Sequence, residues 1–258
     1  MTAMRELGPD AVTLDERPIA RRIGLILLDT DHTTETDFAR LVASGEIGVY
    51  AARVAYANPT TPENLMAMRP RLAKAAAAIL PGSELDAICF SCSSASAVIG
   101  DDTVRDAIRA GKPGVAVITP ALAAANALAA LGARKIAMLT PYLAETTRPL
   151  AAYMQAKGFH LAGVTCLGFD DDREMARISP ASLVEAAVAA TPDDAEALFI
   201  SCTALRAVSV VAKIEARIGR PVVTSNQATA WECLSLCGAT ADPARAGRLF
   251  ALDRPKAA

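Results

Sequence analysis

The segment from Asp86 to Val98 is written again, without a gap, from Glu196 to Val208, an offset of 110 positions. Each copy runs from an acidic residue through an apolar stretch into Ser-Cys-Ser or Ser-Cys-Thr. After each copy comes Gly-basic-Pro, as Gly111-Lys112-Pro113 and Gly219-Arg220-Pro221, and then a further β-branched run. A period this long is no solenoid repeat, so it reads as duplication of a whole lobe. The competing account is that all strand-helix units look alike.

Within each half, short apolar runs alternate with helical patterns, the signature of a parallel sheet with crossover helices. Strands are expected at 22–28, 48–55, 86–91 and 114–118, then at 135–139, 160–165, 197–201 and 221–224. Helices are expected at 62–79, 102–110, 143–157, 180–190 and 204–218, with Gly111, Gly132, Gly158 and Gly219 placed as C-terminal caps. The predicted fold class is α/β, two pseudo-symmetric lobes with a cleft between them.

In open parallel sheets, ligands bind beyond the carboxyl ends of the strands. Both Ser-Cys triplets lie where a strand is expected to give way to a helix. Two lobes packed about a pseudo-twofold axis would set Cys92 and Cys202 on opposite sides of one cleft. A thiol at a helix N-terminus is expected to have a lowered pKa. Ser93, Ser94 and Thr203 add hydroxyl donors suited to a carboxylate or a developing enolate. One thiolate could remove a proton next to a carboxyl group while the opposite thiol delivers one. Alternatively, a thiolate adds to a double bond that then rotates and re-forms. Core packing is the competing account of either cysteine alone.

Other chemistry finds no motif. The formal net charge of −2, with both signs scattered, offers no basic stripe for nucleic acid. The start of the chain has no apolar leader run, and the Ala-rich stretch 121–131 is too short to span a bilayer. A cytoplasmic protein is expected, with its six cysteines free. Cys89 and Cys92 form a CxxC, but Cys89 sits inside an apolar run and no second cluster completes a metal site. Cys89, Cys166, Cys233 and Cys237 are expected to be small buried hydrophobes. No nucleotide, flavin or metal motif occurs, and there are two histidines, His32 and His160.

The paired motifs at 91–96 and 201–203 resemble those of the aspartate/glutamate racemase superfamily. Within it, the chain is most similar to the maleate cis-trans isomerase and arylmalonate decarboxylase group. The resemblance runs from Arg22-Ile23-Gly24 to Ser225-Asn226-Gln227-Ala228, and Thr140-Pro141-Tyr142 resembles a turn whose tyrosine binds substrate carboxylate. It implies flavodoxin-like lobes, no cofactor, a small-molecule carboxylate substrate and a homo-oligomer. It also implies a first lobe of 1–118 plus 226–258 and a second of 119–225. Arylmalonate decarboxylases keep only the second cysteine, so retention of both favours isomerisation or racemisation.

Two positions depart from the group. Maleate isomerases carry asparagines that hold substrate carboxylates where this chain has Asp31 and Asp172. An ionised carboxylate only accepts hydrogen bonds and repels a second anion, so an amino-bearing substrate suits these positions better than maleate. The run Asp29-Thr30-Asp31-His32-Thr33-Thr34-Glu35 resembles the ectoine-utilisation branch, whose pathway passes through diaminobutyrate derivatives. On that reading Asp31 and Asp172 recognise an amino group while Tyr142 and nearby hydroxyls hold the carboxylate. The alternative for the loop is a helix cap, by Asp31 or by a Thr34/Asp37 capping box. Three other functions remain open at this point: maleate isomerisation, arylmalonate-type decarboxylation, and ligand sensing without catalysis.

Overall fold

The computed structural model describes residues 4–240 and 242–252. The first half contains β1 (Arg21–Leu28), α1 (Thr34–Leu41), β2 (Ile47–Val54), α2 (Pro62–Met66), α3 (Leu72–Ala78), β3 (Ala87–Ser91), α4 (Ser93–Ile99), α5 (Asp101–Gly111) and β4 (Ala116–Ile118). The second contains α6 (Pro120–Ala130), β5 (Lys135–Tyr142), α7 (Ala144–Ala156), β6 (His160–Phe169), α8 (Asp172–Met175), α9 (Pro180–Ala189), β7 (Ala197–Ile200), α10 (Val211–Ile218), β8 (Val222–Thr224) and α11 (Ser225–Leu236). The strands form two four-stranded sheets, in the orders β2-β1-β3-β4 and β6-β5-β7-β8. All pairings are parallel, and the two orders are the same once the second half is renumbered. The duplication read from Asp86 and Glu196 is therefore a duplication of sheet topology.

Central strands in such sheets are covered on both faces and read as unbroken apolar runs. β3 is buried throughout, and β1 is buried after its first residue. Alternate side chains of β1 serve two cores. Ile26 and Leu28 pack with Leu72, Ala76, Val104 and Ile108 beneath α3 and α5. Ile23, Leu25 and Leu27 face a second core shared with the other half, including Ile136, Met138, Phe199, Val223 and Trp231.

The shared core contains the small side chains of α6 (Ala121, Ala123, Ala124, Ala127) and of α11 (Ala228, Ala230). Small residues let two helix backbones approach closely, and here they form the seam between the halves. α11 follows β8 of the second sheet yet packs against α1 and β3 of the first half. Among the described residues, no helix is long and apolar enough to cross a membrane.

Three expectations need correction. The helix expected over 62–79 is broken into α2, a 3-10 turn at Arg69–Arg71, and α3. Pro70 lacks an amide hydrogen and its ring crowds the preceding turn, which ends α2. Gly111 is not a left-handed cap but the last residue of α5, where a Cβ would lie 2.0 Å from Ala73 O of α3. Gly132, Gly158 and Gly219 do adopt positive φ just past their helices.

The helix expected over 204–218 does not begin until a 3-10 turn at Val208–Val210, followed by α10. Donors from elsewhere occupy the carbonyls that would open it: Asn226 Nδ2 donates to Thr203 O and Thr33 Oγ1 to Ala204 O. The two triplets are thus equivalent in topology but not in local conformation.

Candidate active site

Cys92 follows β3 in extended conformation (φ −153°, ψ 109°) and serves as N-cap of α4. Its sulfur lies 3.6 Å from Ser94 Oγ and also meets the backbone amide of Ala95. Burial pushes the thiol up to about 11 despite these two donors, and the charges of Asp172 and Asp31 raise it further. The expected lowering by the helix terminus is overturned, because the cost of desolvating a thiolate exceeds what one turn of amides returns.

Cys202 stands two residues beyond β7, at φ 130°, with turns rather than a helix after it. Burial pushes its thiol up to about 12, opposed by the Tyr142 hydroxyl and the Ala204 amide. The negative charge of Cys92 as thiolate, and that of Asp172, act in the same direction as burial. Both thiols are therefore protonated at neutral pH before any ligand enters.

A single small cavity receives both sulfurs. Its wall includes Asp31, Cys92, Ser94, Tyr142, Asp172, Cys202 and Thr203, seven of the eight residues singled out from sequence. The eighth, Ser93, is fully buried elsewhere, with its hydroxyl donated to Ser225 Oγ at 2.6 Å. Sequence reasoning did not name Leu28, Tyr56, Thr60, Leu65 and Ala204, which complete the wall. Tyr56 and Thr60 follow β2, so the strand-end rule applied to that strand would have found them.

The space open to the centre of a water molecule is about 20 Å³, room for roughly one water. A substrate of several heavy atoms requires the wall to move. Tyr142 comes from the end of β5 and is buried, and it lines the cavity beside Ser94 and Cys202. A run of neighbouring polar groups therefore links Cys92, Ser94, Tyr142 and Cys202.

The carboxyl groups are already engaged by the protein. Asp31 Oδ1 accepts from the amides of Thr33 and Thr34 at 2.8 Å each, and Oδ2 accepts from Thr34 Oγ1 at 2.7 Å. Asp31 thus ties the turn that opens α1, as the capping alternative expected. The Thr34/Asp37 capping box does not form, since Asp37 N donates to Thr33 O. Burial raises the Asp31 pKa, and its hydrogen bonds and nearby Arg53 oppose the rise.

Asp172 begins α8 and reaches across to the first half. Its oxygens accept from Thr30 Oγ1 and from Asn58 Nδ2, the latter at 3.2 Å. Thr60 N donates to Asp170 O at 2.6 Å and Thr146 Oγ1 donates to Thr60 O at 2.6 Å, so several bonds join the two rims. Among the described residues, the cavity wall holds two carboxyl groups and no arginine, lysine or histidine. Arg53 is near but turned away, onto the carbonyls of Leu28 and Asp31 and onto Glu35.

The remaining cysteines take no part in this wall. Cys89, Cys233 and Cys237 are buried, while Cys166 is only half-buried, against expectation. Its sulfur meets Thr147 Oγ1 at 3.3 Å on the edge strand β6, which is packed on fewer sides than β3.

The family model described as arylmalonate decarboxylase matches residues 71–250. An arylmalonate decarboxylase of Bordetella bronchiseptica is 34% identical over 141 residues, 53% of this chain and 58% of that protein's length. A maleate isomerase of Nocardia farcinica is 26% identical over 244 residues, covering 90% of this chain and 96% of the relative.

In fold, the chain matches the solved structure of a Nocardia farcinica maleate cis-trans isomerase, a cysteine-to-serine variant with a covalently bound succinylcysteine intermediate. The TM-score is 0.80 at 24% identity, covering 91% of this chain and 99% of the other. With a family model spanning more than half its length, this chain belongs to the arylmalonate decarboxylase family, whose relatives here are named as decarboxylases and as maleate isomerases.

Proposed function

We propose that this protein is a cofactor-independent isomerase or racemase that uses Cys92 and Cys202 on a small carboxylic acid bearing an amino group. The observation that carries the reading is one cavity walled by two thiols from equivalent ends of two sheets, two carboxyl groups and no cationic side chain. An intermediate of ectoine breakdown of the diaminobutyrate type has the required chemistry. The reading includes a cytoplasmic homo-oligomer.

The charge pattern favours an ammonium group over a second carboxylate. Asp172 raises both thiols and Asp31 raises Cys92, so a cation entering beside them offsets that repulsion and lowers the cost of a thiolate. A dianion such as maleate would add to it. In the reaction, one thiol releases its proton to solvent as the ammonium-bearing ligand enters, and the resulting thiolate takes the proton from the carbon beside the carboxyl group. The C–H electron pair moves into an enediolate, which the hydroxyls of Tyr142 and Ser94 face. The opposite thiol then gives its proton to the other face of that carbon.

The test is solvent-deuterium exchange at the α-carbon of N-acetyldiaminobutyrate and diaminobutyrate, with maleate run in parallel. Exchange into the amino acids without gas release supports the reading. Turnover of maleate alone contradicts it. A second reading, decarboxylation, is favoured by the 34% identity to an arylmalonate decarboxylase, and release of carbon dioxide would establish it instead.

A further inference from the structure

Cys202 is held in place from outside its own sheet. Its φ of 130° is costly for a residue with a side chain and persists only where neighbours over-determine it. Four hydrogen bonds supply that constraint. Cys202 N donates to Ser225 Oγ at 3.2 Å, and Thr203 Oγ1 donates to Ser91 O at 3.0 Å. Asn226 Nδ2 donates to Thr203 O at 2.9 Å, and Thr33 Oγ1 to Ala204 O at 2.8 Å.

Thr203 Oγ1 joins the two thiol segments directly through Ser91 O, and Ser225 joins them through a single oxygen that lies on neither segment. Its Oγ also accepts from Ser93 Oγ at 2.6 Å, and Ser93 directly follows Cys92. One oxygen thus touches the amide of one thiol residue and the chain neighbour of the other. Ser225 is fully buried and is not part of the cavity wall. It is the first residue of α11, fixed there by the capping box of Thr224 and Gln227.

We propose that Ser225 is a positioning residue: it sets the direction of the Cys202 sulfur relative to Cys92 through the Cys202 amide, without touching substrate. The inference deepens the two-thiol reading, but its test reads the thiols directly and needs no substrate. The full-length protein is treated with iodoacetamide across a pH series, and the rate at each cysteine is followed by mass spectrometry. Cys89 and Cys233, both fully buried, report whether the core stays closed.

In Ser225→Ala the ratio of Cys202 to Cys92 alkylation should change by about tenfold, the scale of one lost buried hydrogen bond, with the pH profile of Cys202 displaced. Ser225→Thr keeps the hydroxyl and should restore the ratio. Ser93→Ala removes only the other bond and should leave Cys202 unchanged.

An unaltered ratio in Ser225→Ala, or a ratio that stays altered in Ser225→Thr while the core thiols remain protected, overturns the proposal. So does alkylation of Cys89 and Cys233 in Ser225→Ala, which would make Ser225 a folding residue. Failure of the two-thiol reading looks different: turnover would survive Cys92→Ser or Cys202→Ser whatever the alkylation ratios.

Discussion

The hydroxyl of Tyr142 and the sulfur of Cys202 share one cavity wall, and the hydroxyl lowers a thiol that burial otherwise pushes up to about 12. Tyr142 is itself fully enclosed, and burial raises its phenol well above the usual range, so it stays a donor at any working pH. Replacing Tyr142 by Phe keeps the ring and removes the donor. Alkylation of Cys202 should slow by about tenfold, with Cys92 much less affected, because a charge-assisted hydrogen bond of this kind contributes about 1.5–3 kcal/mol. Turnover should fall with it.

The two thiols should be separately indispensable. Cys92→Ser and Cys202→Ser each replace a sulfur acid with a far weaker one of similar size, and each should reduce turnover by about 10²–10⁴-fold. Melting temperatures should stay near wild type, since both residues lie at strand ends rather than inside a sheet. Each single variant should retain exchange of the proton on one enantiomer only. Chiral analysis of deuterium incorporation reads this, and near-wild-type turnover in either variant counts against the mechanism.

Asp172→Asn removes a negative charge that raises both thiols; its one amide oxygen can still accept from Asn58, and its new NH2 can donate to the Thr30 hydroxyl, which turns to accept. The alkylation profiles of Cys92 and Cys202 should both move to lower pH. Affinity for an ammonium-bearing ligand should weaken by about tenfold or more, and affinity for maleate should strengthen. Isothermal titration with both ligands separates this charge effect from a loss of shape. Asp31→Asn is a less clean test, because Asp31 also ties the turn before α1 through three hydrogen bonds.

Asp37 gives the fold a pH dependence of its own. Burial raises its carboxyl from 3.8 to about 6, although Asn226 Nδ2 donates to it at 2.8 Å. A group raised in the folded state contributes stability that is complete below 3.8 and is lost as pH rises through about 6. The loss amounts to about 3 kcal/mol, at 1.36 kcal/mol for each tenfold change in proton affinity. Asp37→Asn keeps an acceptor for Asn226 and should flatten that slope. Urea denaturation at pH values spanning the interval checks it.

The match of Asp86–Val98 with Glu196–Val208 carries local information, strand pattern and triplet, so sheet duplication and the meeting of Cys92 with Cys202 were legible. The direction of their pKa shifts was not. A helix terminus is a local feature, whereas desolvation depends on everything that closes over the sulfur, and here closure dominates.

Cys202 also lacks the helix that its counterpart Cys92 opens, because partners distant in sequence, Thr33 and Asn226, occupy the carbonyls such a helix would use. Ser93 looked like a ligand-facing hydroxyl by adjacency, yet its partner is Ser225, 132 positions away. The break at Pro70, by contrast, was written locally and outweighs the alanine-rich helical pattern around it.

A two-sided proton transfer requires the bound acid to lie between the two sulfurs. A crystal structure of the protein soaked with N-acetyldiaminobutyrate should place the α-carbon between Cys92 and Cys202, with one sulfur facing each side and the amino-bearing arm toward Asp172. A ligand bound elsewhere, or two sulfurs on the same face of that carbon, would contradict it.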